Sequence, residues 1–194
     1  MEPMSSPDFS GLCSAHREML LKLARASVEH GLDCGQALPL SPGDYPPELG
    51  ALRATFVTLR VEEALRGCIG SSRPSRTLVE DVASNAYGAA FLDPRFPALK
   101  REELAHLHIH ISILSPFQEL RFTCEEDLLA QMQPGVDGFM LEEDLHRGVL
   151  LPAVWASLTT SGIFLCHLKL KAGLPQDYWS KTLKVWRCTA ESIP

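Results

Sequence analysis

No stretch of the 194 residues approaches the roughly 20 consecutive apolar positions that a membrane-spanning helix needs. The segment Met1 to Gly11 has neither Lys nor Arg and no apolar run, so no secretory leader is expected there and a cytoplasmic location is. Clustered basic residues are also lacking. Lys169 with Lys171, and Lys181 with Lys184, are short and interrupted, and they are set against a net charge of -6. Phosphate contacts need grouped Lys and Arg, so nucleic acid is excluded as an expected partner. The six cysteines, Cys13, Cys34, Cys68, Cys124, Cys166 and Cys188, form no CxxC pair and are widely scattered. Free thiols are expected, and disulfides or a structural zinc are not. Gly67 and Gly70 complete neither a GxGxxG turn nor a P-loop, since no Lys-Ser or Lys-Thr follows them. No internal repeat or low-complexity tract is present.

What is there suits a globular protein. An apolar fraction of 45% beside 22% charged residues supplies a sizeable core. Residues 1–11, rich in Ser and Pro, read as a disordered lead-in, and 12–194 as a single domain. Leu20, Leu23, Ala24 and Val28 share one helical face, which predicts a helix over 15–30 with Ser14 as N-cap and Gly31 as its stop. Four prolines and two glycines make 38–50 a loop. Two β-rich runs, 53–60 and 65–69, predict an antiparallel pair, although 61–64 lacks the Asn-Gly or Asp-Gly chemistry of a tight turn.

Thr77 and Glu80 form a capping box for a helix ending near Phe91, before Asp93-Pro94. Leu107 to Leu114 alternates, with Leu107, Ile109, Ile111 and Ile113 on one face and His106, His108, His110 and Ser112 on the other. Thr123 and Glu126 suggest a second capping box, for a short helix ending near Pro134. A hairpin over 136–151, helical stretches at 152–158 and 164–172, and a closing strand over 183–188 complete the reading. Gly173 is the expected stop of the last helix. Strands and helices without strict alternation, joined by hairpins, define an α+β fold with a largely antiparallel sheet and flanking helices.

The segment Leu65-Arg66-Gly67-Cys68-Ile69-Gly70-Ser71 is similar to the LRGCIGS signature of the AMMECR-domain family. Further stretches follow in order. Ala86-Tyr87 through Phe91 with Asp93-Pro94-Arg95-Phe96 resembles the family's NAYAAAF and DPRF stretch, and Ile109 to Pro116 resembles its IEISVLSP strand. Gly135 to Gly138, Leu150-Leu151-Pro152 and Lys171 to Pro175 match its remaining turns. The resemblance covers roughly residues 15–190. It implies two unequal lobes forming a cleft beside the signature segment, and association in bacteria with a Memo-like protein and a radical SAM protein. The family carries no settled activity. No CxxxCxxC motif is present, so the iron-sulfur cluster of any radical chemistry would belong to a partner, and no cofactor is expected on this chain. His108 and His110 stand where family members often carry acidic residues, so a role depending on carboxylates there does not transfer.

Read as an extended strand, the signature puts Arg66 and Cys68 on one face, where a guanidinium favours thiolate over thiol. Cys68 is then either a nucleophile or ligand-contacting group, or a small core residue beside glycines that admit a helix. Gly67, Gly70 and Ser71 complete that candidate binding segment. Asp93 and Arg95 are either a turn with its cap or an anion clamp for a small anionic ligand. Two functions are open: an accessory binding component, or an enzyme with Cys68 as nucleophile and Arg66 and Arg95 as anion stabilisers. His108 and His110 are weak metal candidates, since neighbours on one strand face lie about 7 Å apart. Asp137-Gly138 reads as a hairpin turn, and Trp155, Trp179 and Trp186 as core anchors.

Overall fold

A computed structural model of the chain describes residues 11–194; most of the expected lead-in lies outside them. The chain divides into two compact units. One runs up to Ile113 and takes back Glu191–Pro194, and the other is Leu114–Ala190. The fold is α+β, with one antiparallel sheet and flanking helices in each unit.

In the first unit the strands β1 (Thr55–Val61), β2 (Ala64–Gly70) and β3 (Leu107–Leu114) are joined by β8 (Ala190–Ile193) in the order β2-β1-β3-β8. The helices α1 (Ser14–Cys34) and α2 (Leu78–Phe91) cover it. Alternation decides which residues meet them: Val57, Leu59, Ile109, Ile111 and Ile113 are buried with Leu20, Val28, Val82 and Ala86 in one core. Helix α1 is longer than its sequence pattern predicts. Its N-cap is Cys13 rather than Ser14, and it continues through Gly31 to a left-handed Gly35 at φ 68°. Gly31 does not stop the helix. It is buried where a Cβ would stand 2.4 Å from the Phe91 ring and 2.7 Å from Tyr87, so it lets α1 approach α2. The capping box of α2 is present, with the Glu80 carboxylate accepting from the Thr77 amide (3.0 Å) and hydroxyl (2.6 Å).

The β1–β2 turn is made by Glu62 and Glu63, both left-handed at φ 48° and 67°. Two glutamates thus supply the backbone geometry for which Asn-Gly is the usual sequence mark. The Glu63 carbonyl accepts from Arg60 Nη1 at 2.7 Å. The predicted loop over 38–50 contains two short 3-10 turns, Pro42–Asp44 and Pro47–Gly50.

In the second unit β4 (Gln118–Leu120), β5 (Gly138–Glu143), β6 (His146–Leu150) and β7 (Lys184–Cys188) form a sheet in the order β4-β7-β5-β6. Helices α3 (Glu125–Gln131) and α4 (Ser161–Lys171) pack with it around Phe139, Leu141, Phe164, Leu168 and Val185. Trp155 is a core anchor as expected, stacked on Phe164 with centroids 4.1 Å apart and donating Nε1–H to the Asp137 carbonyl at 2.7 Å. The expected Thr123–Glu126 capping box is displaced. Cys124 is the N-cap, and Thr123 donates instead to Asp127 Oδ2 from its amide (2.9 Å) and hydroxyl (3.2 Å). Asp137-Gly138 is not a hairpin turn: the buried Asp137 closes the turn after α3 by accepting from the Gln133 amide at 2.9 Å, and Gly138 begins β5. The hairpin turn lies at Asp144 and Leu145, with Asp144 at φ 52°. Strand β7 does not close the chain, because β8 follows it into the first unit's sheet.

Candidate functional site

The signature segment is β2, an edge strand whose register decides where each side chain goes. Leu59 faces Gly67 but Arg60 faces Leu65, so Arg66 is an extra residue in a bulge. The bulge replaces the side-by-side arrangement of Arg66 and Cys68 drawn from simple alternation. The Arg66 fork turns to Glu103, with Nε to Oε1 at 2.6 Å and Nη2 to Oε2 at 3.1 Å, and Nη2 also reaches the Ala98 carbonyl at 3.2 Å. This partly buried ion pair, held first by the hydrogen bond from Arg66, keeps the Glu103 carboxyl below its ordinary range.

Gly67 faces α2. A Cβ there would lie 1.9 Å from the Ala89 carbonyl oxygen, so only glycine allows this helix to sit on this strand. Gly70 is equally confined, by the Thr55 carbonyl at 2.3 Å and the Phe56 ring at 2.4 Å. Ser71 donates its amide to Thr55 O at 3.1 Å, while its hydroxyl is taken up by the Arg73 backbone. Both glycines and Ser71 therefore serve the packing of the segment.

Cys68 is the residue of β2 that the structure brings together with Asp93 and Arg95. The Cys68 amide donates to Asp93 Oδ2 at 2.9 Å, and the Cys68 carbonyl accepts from Arg95 Nη2 at 3.2 Å. Asp93 and Arg95 are themselves locked together, Nη2 to Oδ2 at 2.6 Å and Nε to Oδ1 at 2.9 Å. The pair stands where another strand would pair with β2, and it occupies the open backbone groups of an edge at one residue. The Arg95 hydrogen bond drives the buried Asp93 carboxyl well below the ordinary range despite its desolvation, and Asp93 raises Arg95 in return. Arg95 itself keeps 55% of its side chain exposed, which leaves it accessible to an anionic group.

The Cys68 thiol is partly buried and accepts a hydrogen bond from Thr58 Oγ1 at 3.2 Å. Thr58 is the cross-strand partner of both Cys68 on β2 and His110 on β3. His110 Nε2 in turn lies 2.6 Å from Ser192 Oγ on β8. A polar row thus crosses all four strands of the sheet, on the side away from its helices. Burial and the charge of Arg60 lower the His110 pKa below the usual imidazole value. His108 lies opposite Arg60, and His106 belongs to the 3-10 turn Arg101–His106 rather than to β3, so the expected row of three imidazoles is reduced to two. Among the described residues no three His, Cys, Asp or Glu side chains are placed to share a metal ion.

Thr58, Glu103 and Ser192 escaped sequence reasoning, as did Asp81 and Asn85. Asp81, fully buried, accepts from the Thr55 amide (2.9 Å), the Thr55 hydroxyl (2.6 Å) and Asn85 Nδ2 (2.9 Å), and so fastens α2 to the start of β1. The sequence signal was available: Asp81 and Asn85 are polar residues four apart on α2, beside the face that carries Leu78, Val82 and Ala86.

Comparison with known proteins agrees with these observations. The profile of the family described as AMMECR1 matches residues 21–193. A protein of Methanothermobacter thermautotrophicus is 37% identical over 176 residues, covering 89% of this chain and 90% of that one. Protein PH0010 of Pyrococcus horikoshii is 38% identical over 183 residues, covering 90% of this chain and 87% of its own. The crystal structure of PH0010, titled an uncharacterized protein, superposes with a TM-score of 0.85 at 35% identity, covering 93% of this chain and 92% of that one. Among the described residues no helix is long and apolar enough to cross a membrane. With the signature strand, its Asp-Pro-Arg-Phe brace and nearly the whole chain matched, this protein belongs to the AMMECR1 family.

Proposed function

We propose that this chain is an accessory binding component, the A protein of an AmmeMemoRadiSam system, which acts with a Memo-like protein and a radical SAM protein through the surface around Cys68. The observation that carries the reading is the state of the two guanidinium groups. Arg66 is neutralised by Glu103 and Arg95 by Asp93, so each first fixes the β2 segment. An oxyanion stabiliser works by presenting donors preorganised for a charge that develops during reaction, and forks already closed on carboxylates suit positioning better. The thiol is held at a fixed backbone position, with Arg95 half exposed nearby for a small anionic ligand or an acidic partner group. A cytoplasmic site of action fits the absence of any disulfide among the six cysteines, and the net charge of -6 argues against nucleic acid.

A second reading, an enzyme with Cys68 as nucleophile, is favoured by one contact, the Thr58 hydroxyl on the sulfur. The two are separated by iodoacetamide labelling of Cys68, with and without the Memo-like and radical SAM proteins copurified from one host. Retention of both partners, with Cys68 protected in the complex, supports the binding component. Failure to copurify, with a Cys68 adduct formed from a small metabolite alone, overturns it in favour of the enzyme.

A further inference from the structure

Between the loop that follows α1 and the start of α2, the first unit holds a cavity of about 410 Å³. Small-ligand sites occupy about 300–1,000 Å³, so the space suits a small molecule. Leu38 and Leu40 line it from the loop, and Ser75, Arg76, Glu80 and Ser84 line it from α2 and the residues just before. The walls are held by bonds that use none of these polar side chains. The Leu38 amide donates to Ser27 Oγ at 3.1 Å, and Ser27 donates to the Ala83 carbonyl of α2 at 2.7 Å. The Arg53 amide donates to the Arg76 carbonyl at 3.3 Å, and the Leu78 amide to the Ala51 carbonyl at 2.9 Å. Leu38 and Leu40 both pack against the core.

Two opposite charges share the cavity without pairing with each other. Arg76, with 49% of its side chain exposed, makes one long contact, Nη1 to Asp81 Oδ1 at 3.4 Å. Arg66 and Arg95 differ from it, since each closes two bonds on a carboxylate. Glu80 takes both of its bonds, from the Thr77 amide and hydroxyl, on Oε2, which leaves Oε1 open among the described residues. The Thr77 hydroxyl first, then its amide, and last the charge of Arg76 hold the Glu80 carboxyl below its ordinary range. Both groups are therefore charged at neutral pH. A simple anion entering the cavity would meet the carboxylate, and a simple cation would meet the guanidinium. A molecule that carries both charges satisfies both groups.

We propose that this cavity binds a free α-amino acid with an aliphatic side chain. The ligand carboxylate accepts from the Arg76 guanidinium, which offers a planar fork of donors. The ligand ammonium donates to Glu80 Oε1, and the Ser75 and Ser84 hydroxyls accept or donate as needed. The aliphatic side chain lies along Leu38 and Leu40 and leaves water there. None of these residues belongs to the surface around Cys68, so the proposal goes beyond the accessory binding role and does not depend on it.

Isothermal titration calorimetry of the full-length protein with L-leucine tests it. Isocaproate, isoamylamine and glycine serve as comparison ligands, lacking in turn the ammonium, the carboxylate and the aliphatic side chain. Leucine should bind saturably at one site per chain, and each of the other three should bind at least about tenfold more weakly. Arg76→Gln should weaken leucine binding by about tenfold or more, and so should Glu80→Gln, whose amide preserves the capping box of α2. Ser84→Leu leaves both charges in place and fills the cavity, so it should abolish binding. Melting curves by circular dichroism confirm that the three variants are folded. The absence of saturable heat from leucine at millimolar concentration would overturn the proposal. Isocaproate or isoamylamine binding as tightly as leucine would also overturn it, as would a leucine affinity that either charge substitution leaves unchanged.

Discussion

The two faces of the sheet in the first unit obey different rules. Toward α1 and α2, β1 and β3 present Val57, Leu59, Ile109 and Ile111, all buried, and β2 presents Gly67 against the backbone of α2. Away from the helices the same strands present Thr58, His110 and Cys68, each partly exposed and hydrogen-bonded across the sheet. The family signature is therefore two messages interleaved at period two. Gly67 answers to the packing of a helix, and Cys68, one residue later, answers to whatever meets the other side. A motif of this kind is not evidence that all its members belong to one site.

Gly67→Val is the most damaging way to test that division. A Cβ 1.9 Å from the Ala89 carbonyl cannot be absorbed by a rotamer change, because the obstacle is backbone. The loss should exceed about 3 kcal/mol, the upper range for overpacking a core, and the protein should fail to fold or melt far below wild type by circular dichroism. A wild-type melting temperature would show that α2 can move aside and that Gly67 has another role. Asp81→Ala comes next. It leaves the buried Thr55 amide and hydroxyl without their acceptor, while Asn85 keeps its bonds to Thr55, at a cost of about 2–3 kcal/mol read from urea unfolding. An equally stable variant would mean that the helix-facing side needs no polar fastening.

Much of this architecture was legible beforehand, because hydrophobic period and capping chemistry are local. The alternation of β3 and the Thr77–Glu80 box lie where the sequence puts them. What failed was set by distant partners. Gly31 reads as a helix stop until Phe91 and Tyr87 are seen against it. Thr123 has an equally suitable acceptor in Asp127 as in Glu126, and local pattern does not choose between them. Strands β4, of three residues, and β8, of four, are too short to carry a period. In the candidate site, Cys68, Asp93 and Arg95 could be named from the sequence, but the bulge that sends Arg66 to Glu103 depends on the register against β1, which no local rule supplies. Thr58 was invisible for the same reason.

The brace on the edge of β2 predicts a smaller effect that depends on pH. Arg95 holds the folded-state pKa of Asp93 below its unfolded value of about 4. A depressed carboxyl contributes stability above the unfolded pKa and loses it as pH falls through that value toward the folded one. Wild-type protein should therefore lose more stability between pH 5 and 2.5 than Asp93→Asn, whose brace cannot titrate. Parallel pH dependences in urea unfolding would show that Asp93 is not ionised in the folded protein, and that the edge is held by other means.

Cys68→Ser should have the least effect on the fold, and for that reason it sharpens the comparison most. The substitution is nearly isosteric, the amide and carbonyl of residue 68 stay held by Asp93 and Arg95, and the Thr58 hydroxyl can donate to oxygen as it does to sulfur. At a partly exposed position, the cost should be within about 1 kcal/mol, or a few degrees in melting temperature for a chain of this length. Alkylation at this position should vanish, and binding of the proposed partner proteins should weaken while the melt hardly moves. If the variant instead unfolds, the sulfur belongs to the packed core like Gly67, and the open side of the sheet loses its claim to be the functional one.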